Sequence, residues 1–319
     1  MSGADLPVLA VDVGGTKLAA ALVDGEGTLL RSTAAPTPAD DGAAVWSSLV
    51  TLLDQVAGGQ QVAGVGVGCG GPMEWPAGVV SPLNLPGWRG FPLRARLAER
   101  YPGLPVRLHN DAVALVAAEH WRGAARGHDN ALAIIVATGV GGGLVLAGQV
   151  VDGATGNAGH VGHVVVDPLG PDCGCGGRGC LEAVARGPAL AAWAVAQGWQ
   201  PSGAATAAAL AADARAGDPV AGAAFDRAGA ALGLAIASVA ATCDLEVVVV
   251  GGGLSGAWDL LQPPLEQTLR RRARLPFTRA IPVLPAALGS AAFLVGAAAL
   301  VLRGDRYWHG GDAVLGLAH

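Results

Sequence analysis

VLAVDVGGTKLAAALVD, Val8–Asp24, reads as an apolar β-rich run, a glycine turn and a second apolar run. Asp12 stands near the end of the first run, Gly14 and Gly15 make the turn, and Thr16 and Lys17 follow. Glycine lets a backbone approach a phosphate closely, and a hydroxyl and an ammonium add donors and positive charge. The next run, GTLLRST (27–33), extends the pattern to three strands, a β-meander. The turn is not a Walker loop, because the G-x-x-x-x-G-K-[ST] spacing is absent and a strand follows it. By itself such a turn is no more than a tight hairpin.

The theme returns downstream. Ala131–Thr138 is a strand running into TGVGGG (Thr138–Gly143), and another strand follows. Two glycine hairpins facing each other across a cleft are what an actin-like nucleotide fold needs, and VVVVGGG (Val247–Gly253) adds a third glycine turn for a nucleoside. Between these runs the chain alternates. A helix is expected from about Ala39 to Val56, a strand at Val62–Gly68, a long Gly/Pro/Trp loop from Gly70 to Gly90, and a strand and helix in LPVRLHN and DAVALVAAEHWRG. Ala-rich helices fill about Gly187–Thr242, and a strand near Ile281–Leu284 precedes a helix over 289–302. Strand then helix, repeated, argues α/β architecture duplicated in form though not in sequence. A loop as long as Gly70–Gly90 is better explained by binding than by connection. Its Trp75 and Trp88 are expected to pack beneath it or to stack on a sugar.

With 319 residues the chain is long enough for two domains and a large core without staples. Five cysteines, an odd number with three clustered, fit a reduced cytoplasmic protein better than a disulfide framework. MSGADLPVLAVDVGG lacks the basic and apolar segments of a leader, and no run offers the ~20 strongly apolar residues of a membrane span. A net charge of −5 leaves no basic footprint for nucleic acid; the run Arg270–Arg274 is expected to end a helix, where cations complement the dipole. The chain has 20 basic residues, and Lys17 is its only lysine. Bias explains that scarcity, but not why the one lysine stands in a glycine turn.

HNDAVAL puts Asn110 and Asp111 where a strand ends and a helix begins. Both types cap helices well. Beside phosphate loops, an aspartate at a strand's carboxyl end is also where a base accepting a hydroxyl proton would sit, with Asn110 bonding a neighbouring hydroxyl. In GNAGHVGHVVVDPLGPDCGCGGRGC (Gly156–Cys180), His163, Cys173, Cys175 and Cys180 make an H-x9-C-x-C-x4-C arrangement. Four nitrogen and sulfur ligands suit tetrahedral zinc and leave no open position, so the ion would be structural. His160 is spare in this count, either facing the cleft or a plain polar loop residue. Cys69 and Cys243 stand in apolar contexts and read as small core hydrophobes. No role is assigned to 303–319.

Together, LAVDVGGTKLAAALVD, LPGW, HNDAVAL, TGVGGG, GHVGHVVVDPLGPDCGCGGRGCLEA and VVVGGG resemble the ROK family of sugar kinases and related repressors, from about residue 8 to residue 302. The resemblance implies an actin/hexokinase-like, ribonuclease H-like α/β fold of two domains with an interdomain cleft. The smaller would cover 1–122, completed by the helix near 289–302, and the larger 123–288 with the zinc loop. It further implies transfer of phosphate from ATP, with Mg2+, to a sugar's 6-hydroxyl, and a homodimer or higher homo-oligomer. Residue by residue, Asp111 matches the family's base, Asn84 and Asn110 its sugar-binding asparagines, and Glu182 a carboxylate that binds ring hydroxyls. His163 matches a histidine that ligates zinc near the sugar. Asp12, at the strand end, falls to the cofactor as an indirect partner of magnesium. Gly14, Gly15, Thr16 and Lys17 match the first phosphate loop, Thr138 and Gly139 the second, and Gly251 with Gly252 the adenosine turn.

One departure bears on the substrate. Glucose-phosphorylating members usually show GExGH, whereas this chain has GHVGH, with His160 for the glutamate, as bacterial N-acetylmannosamine kinases do. A neutral imidazole both donates and accepts, so it can serve an acyl carbonyl. N-acetylmannosamine is therefore the expected substrate, with glucokinase the alternative. ROK repressors carry a helix-turn-helix before the phosphate loop; here that loop begins within fifteen residues of Met1, so no DNA-binding module is expected. A non-catalytic sugar-binding regulator would not need Asp111, Lys17 and both phosphate loops together.

Overall fold

The computed structural model describes residues 6–38 and 40–312; Ala39, where the first helix was expected to start, residues 313–319 of the tail and the opening 1–5 lie outside it. In chain order the elements are β1 (Val8–Val13), β2 (Lys17–Val23), β3 (Leu29–Pro36), α1 (Gly42–Ala57), β4 (Val65–Cys69), β5 (Met73–Glu74), β6 (Val79–Val80), α2 (Leu93–Arg100), β7 (Val106–Asn110) and α3 (Asp111–Arg122). Then come β8 (Ala131–Val136), β9 (Val140–Leu146), β10 (Gln149–Val150), α4 (Leu181–Ala185), α5 (Gly187–Ala196), α6 (Ala207–Arg215) and α7 (Pro219–Cys243). The chain closes with β11 (Val247–Gly251), α8 (Trp258–Arg272), β12 (Val283–Pro285), α9 (Ala292–Leu302) and α10 (Gly304–Tyr307). Two compact units result. One comprises Met1–Gly127, Gly143–Ala158 and Leu288–His319, the other His128–Gly142 and Gly159–Ala287.

The first sheet has the order β3-β2-β1-β4-β7. The meander β1-β2-β3 is antiparallel, whereas β1, β4 and β7 run parallel. Register then does the positioning. Asp12 pairs with Gly68 across β1 and β4, and Cys69 pairs with Asn110 across β4 and β7, so the carboxyl ends of three strands are level. β1 is apolar except for Asp12 because both faces are covered, as parallel strands require. Leu9, Val11 and Val13 join a core with Val45, Leu49 and Leu53 of α1, while Val8 and Ala10 join a second core with Leu294, Ala297 and Ala298 of α9. The small residues on that second face let α9 sit very low. A Cβ on Gly66 would lie 1.9 Å from Ala297 O, and one on Gly296 1.7 Å from Ala114 O.

The second sheet has the order β10-β9-β8-β11-β12, with β8, β11 and β12 parallel. The expected duplication of strand, glycine turn and strand is therefore realised in two five-stranded sheets among the described residues. The basic run ends α8, with Arg270, Arg271 and Arg272 in its last turn. Within the long loop, β5 and β6 form a small hairpin that the sequence did not suggest, since strands of two residues leave no period to read.

One expectation is qualified. α7 is 25 residues long with a mean hydropathy of 1.4 in its most apolar stretch, so a helix long and apolar enough to cross a membrane is present by length and composition. Within the fold 56% of that stretch is buried, and the helix packs on α8 through Gly229 and Gly233, where a Cβ would approach Leu261 O to 2.6 Å and Leu265 O to 2.7 Å. Cys243, at its end, is only partly buried, whereas Cys69 is fully buried as expected.

Candidate active site

The β1–β2 turn closes with Gly14 N donating to Lys17 O at 3.0 Å. Its glycines are required for space. A Cβ on Gly14 would meet Lys17 O at 2.9 Å, and one on Gly15 would lie 2.5 Å from the Asn84 Cβ. That second approach brings Asn84, exposed on the long loop, against the glycine turn. Thr16 and Lys17 are exposed at the tip, and Thr37, which sequence reading passed over, braces it by donating Oγ1 to Gly14 O at 2.8 Å and its N–H to Thr16 O. Asn84 is held from behind. Trp88 is fully buried, stacks on Phe91 at 4.2 Å and donates its indole N–H to Gly42 O at 3.0 Å, so this tryptophan packs beneath the loop.

At the end of β7, Asn110 and Asp111 take up the capping roles that their residue types allow. Asn110 is the N-cap of α3, its Oδ1 accepting from Ala112 N at 2.9 Å, and Asp111 occupies the first helical turn, where a carboxylate complements the dipole. Asp111 and Asp12 feel each other: burial first, and then the Asp111 charge, raise the Asp12 carboxyl to about 7, with Lys17 pulling it back. Burial and the same two carboxylates push the Cys69 thiol well up, so this cysteine borders the site as well as the core. His109, also unanticipated, is buried beside Asn110, accepts the Asn110 N–H on Nδ1 at 2.8 Å and meets Asp152 through Nε2 at 2.9 Å.

In the other unit, Thr138 and Gly139 form the β8–β9 turn, with Ala137 N donating to Gly139 O at 2.9 Å. Gly251 ends β11 opposite Ile135, and Gly252 has φ +90°, with a Cβ 2.6 Å from Val136 O. Only glycine fits there, and the two turns stand side by side at one end of the sheet. Glu182, in the first turn of α4, accepts the Val140 N–H at 2.9 Å and abuts Gly139. That ties the expected sugar carboxylate to the second glycine turn, a link that no local pattern announces.

His160 and His163 flank a single 3-10 turn, are both exposed, and stack with ring centroids 6.4 Å apart at 17°. His163, Cys173, Cys175 and Cys180 bring their donor atoms within 4.8 Å of one another. The His163 Nδ1 to Cys173 Sγ and the Cys175 Sγ to Cys180 Sγ separations are both 3.8 Å. A tetrahedron built on Zn–S bonds of ~2.3 Å has edges of ~3.8 Å, so the donor set fits zinc in kind and in size. Burial and the two neighbouring thiols raise the Cys180 thiol to about 12, a state that a bound dication would reverse. The loop has little else to hold it: backbone bonds such as Cys173 N to Gly177 O and Val166 N to Gly179 O, while Val165 and Leu169 are exposed.

The ROK family model matches residues 8–304. Glucokinase of Thermotoga maritima is 35% identical over 311 residues, covering 93% of this chain and 97% of that protein. N-acetylmannosamine kinase of Yersinia pseudotuberculosis is 36% identical over 298 residues, covering 91% and 96%. Among solved structures, a ROK family glucokinase from Streptomyces griseus in complex with glucose and AMPPNP superposes with a TM-score of 0.80 at 32% identity, over 92% of this chain and 98% of that one.

Proposed function

The chain belongs to the ROK family, and from that premise we propose that it is an ATP-dependent sugar kinase acting on the 6-hydroxyl of a hexose or N-acetylhexosamine, N-acetylmannosamine before glucose. The observation that carries the kinase reading is the coupling of Asp12 with Asp111 at the carboxyl ends of β1 and β7, beside the glycine turn that holds the chain's only lysine. The Asp111 carboxylate takes the hydroxyl proton as the sugar oxygen attacks the γ-phosphorus, and the bond from that phosphorus to the bridging oxygen of ADP breaks. Gly14, Gly15, Thr16 and Lys17 receive phosphate oxygens, Thr138 and Gly139 the remainder, and Gly251 with Gly252 the adenosine. Magnesium, when bound with ATP, supplies positive charge to the phosphates, with Asp12 its indirect protein partner. Asn84, Asn110, His163 and Glu182 hydrogen-bond the sugar. Zinc on His163, Cys173, Cys175 and Cys180 supplies no chemistry of its own and holds their loop in shape. The five free thiols suit a cytoplasmic enzyme, and a homodimer is the assembly this reading carries.

The preference for N-acetylmannosamine is supported by His160, an imidazole stacked on His163 at the position where a glutamate is usual in glucose-specific members. The test is a coupled ATP assay over hexoses and N-acetylhexosamines. kcat/KM for N-acetylmannosamine should exceed that for glucose, by as much as ~10⁴-fold, because a site built to bond an acyl group leaves polar groups unpaired without it. His160→Glu should narrow or reverse the preference. Good turnover of glucose with none of N-acetylmannosamine would instead make the protein a glucokinase, and no ATP turnover with any sugar would leave only the regulator reading.

A further inference from the structure

Three contacts of the segment beyond α10 lead to β7, one directly and two through a bridging side chain. Arg94, 1% exposed, donates to Val106 O, Pro76 O and Gly311 O at 2.8, 2.9 and 2.8 Å, with its guanidinium 5.1 Å from the Trp308 ring. Arg107 holds both oxygens of Asp312, at 2.8 and 2.9 Å. The third contact leads to the reacting residues. His309 Nδ1 meets Asp152 Oδ2 at 2.6 Å, the other oxygen of that buried carboxylate meets His109 Nε2 at 2.9 Å, and His109 Nδ1 accepts the Asn110 N–H at 2.8 Å.

The protons along this chain are fixed by geometry. Because His109 Nδ1 accepts, its hydrogen is on Nε2 and is donated to Asp152. Burial pushes the Asp152 carboxyl up, but its two imidazole partners outweigh burial and hold it below the ordinary range, as an acceptor on both sides. We infer that His309, Asp152 and His109 form a positioning relay through which the C-terminal segment fixes the β7–α3 turn, and with it Asp111, for proton abstraction. The inference rests on Asp111 being the base. None of the three touches substrate; they act through the peptide that joins His109 to Asn110. Catalytic groups misplaced by about 1 Å can lose on the order of 10²-fold in rate, so a relay of this kind shows in kcat.

The experiment compares His309→Leu with His309→Asn in the full chain. Asparagine keeps an amide N–H close to where Nδ1–H stood, whereas leucine has the same branching and no donor. kcat should fall roughly 10- to 100-fold in His309→Leu with KM for ATP within about 2-fold, and His309→Asn should recover most of it. In an Asp111→Ala background His309→Leu should cost nothing more, since it works through the missing carboxylate. Equal kcat for the leucine and asparagine variants, or a full further loss on top of Asp111→Ala, overturns the relay while leaving the base standing. Asp111→Ala retaining more than half of wild-type turnover overturns the base assignment, and the relay with it. His309 is 35% exposed, so His309→Ala repeats the comparison should the leucine variant not fold.

Discussion

Asp12 is a buried carboxyl set beside a second one, Asp111. In the folded, ligand-free chain its carboxyl titrates at about 7, raised by burial and by Asp111, whereas in the unfolded chain it titrates near 3.8. The folded state therefore holds a proton between those values that the unfolded state releases. The stability tied to that proton is complete below about pH 4 and is lost as pH rises through 7. Asp12→Asn removes the dependence. Urea unfolding without nucleotide or magnesium should find the variant gaining about 1–3 kcal/mol relative to wild type between pH 5 and pH 8, while its kcat collapses; a difference that does not change with pH would contradict this. In the wild type, kcat/KM should rise through pH 7 as Asp12 ionises. The positions of Asp12, Asn110 and Asp111 were legible in the sequence because each lies at or next to the end of a strand that the apolar pattern marks. Thr37, His109 and the contact of Gly15 with Asn84 were not, since each is defined by a partner remote in sequence, and neither period nor spacing reports such pairs.

Elements with strong local signals formed as read, and those that depend on spacing between elements did not declare themselves. The Cys/His loop belongs to the first kind, the spacing of its four convergent donors being visible in one line of sequence. Metal analysis of protein purified without chelators should give one zinc per chain. Cys175→Ser should lose it and raise KM for the sugar well before KM for ATP, because structural metal binding is folding energy for that loop alone; equal damage at both substrates would mean global unfolding. α7 belongs to the second kind. Its apolar composition alone does not distinguish a core helix from a membrane span, and no local pattern announces that Gly229 and Gly233, one turn apart, lie on the face against α8. Gly233→Val drives a branched side chain into Leu265 O and Thr268, and overpacking of this sort costs about 1–3 kcal/mol, a Tm lower by roughly 3–10 °C. An unchanged Tm would show that the two helices can part without loss.

At the scale of the whole molecule, alternation of strand and helix was enough to give an α/β chain with two similar sheets, but the residues after 302 gave no pattern to read. They are glycine-rich and short of period, and their contacts, Tyr307 to His120, Trp308 to Trp75 and Asp312 to Arg107, all reach across most of the chain. The same fact governs biosynthesis. α9 covers one face of the first sheet, down to the carbonyl of Ala297 over Gly66, yet it is made after the entire second unit. At ~5–20 residues per second a ribosome needs roughly 10–30 s to pass from the end of the first segment to α9, and all that time the apolar face of β1 and β2 stays uncovered. A nascent chain arrested after Gly127 should accordingly be protease-sensitive and bind hydrophobic-surface dyes, and adding residues 288–312 as a separate peptide should quench the dye; a protease-resistant arrested chain would show that the first sheet can close without its last helix. Translation itself thus sets the order in which this protein can become a kinase, with the first-made sheet the last to be finished.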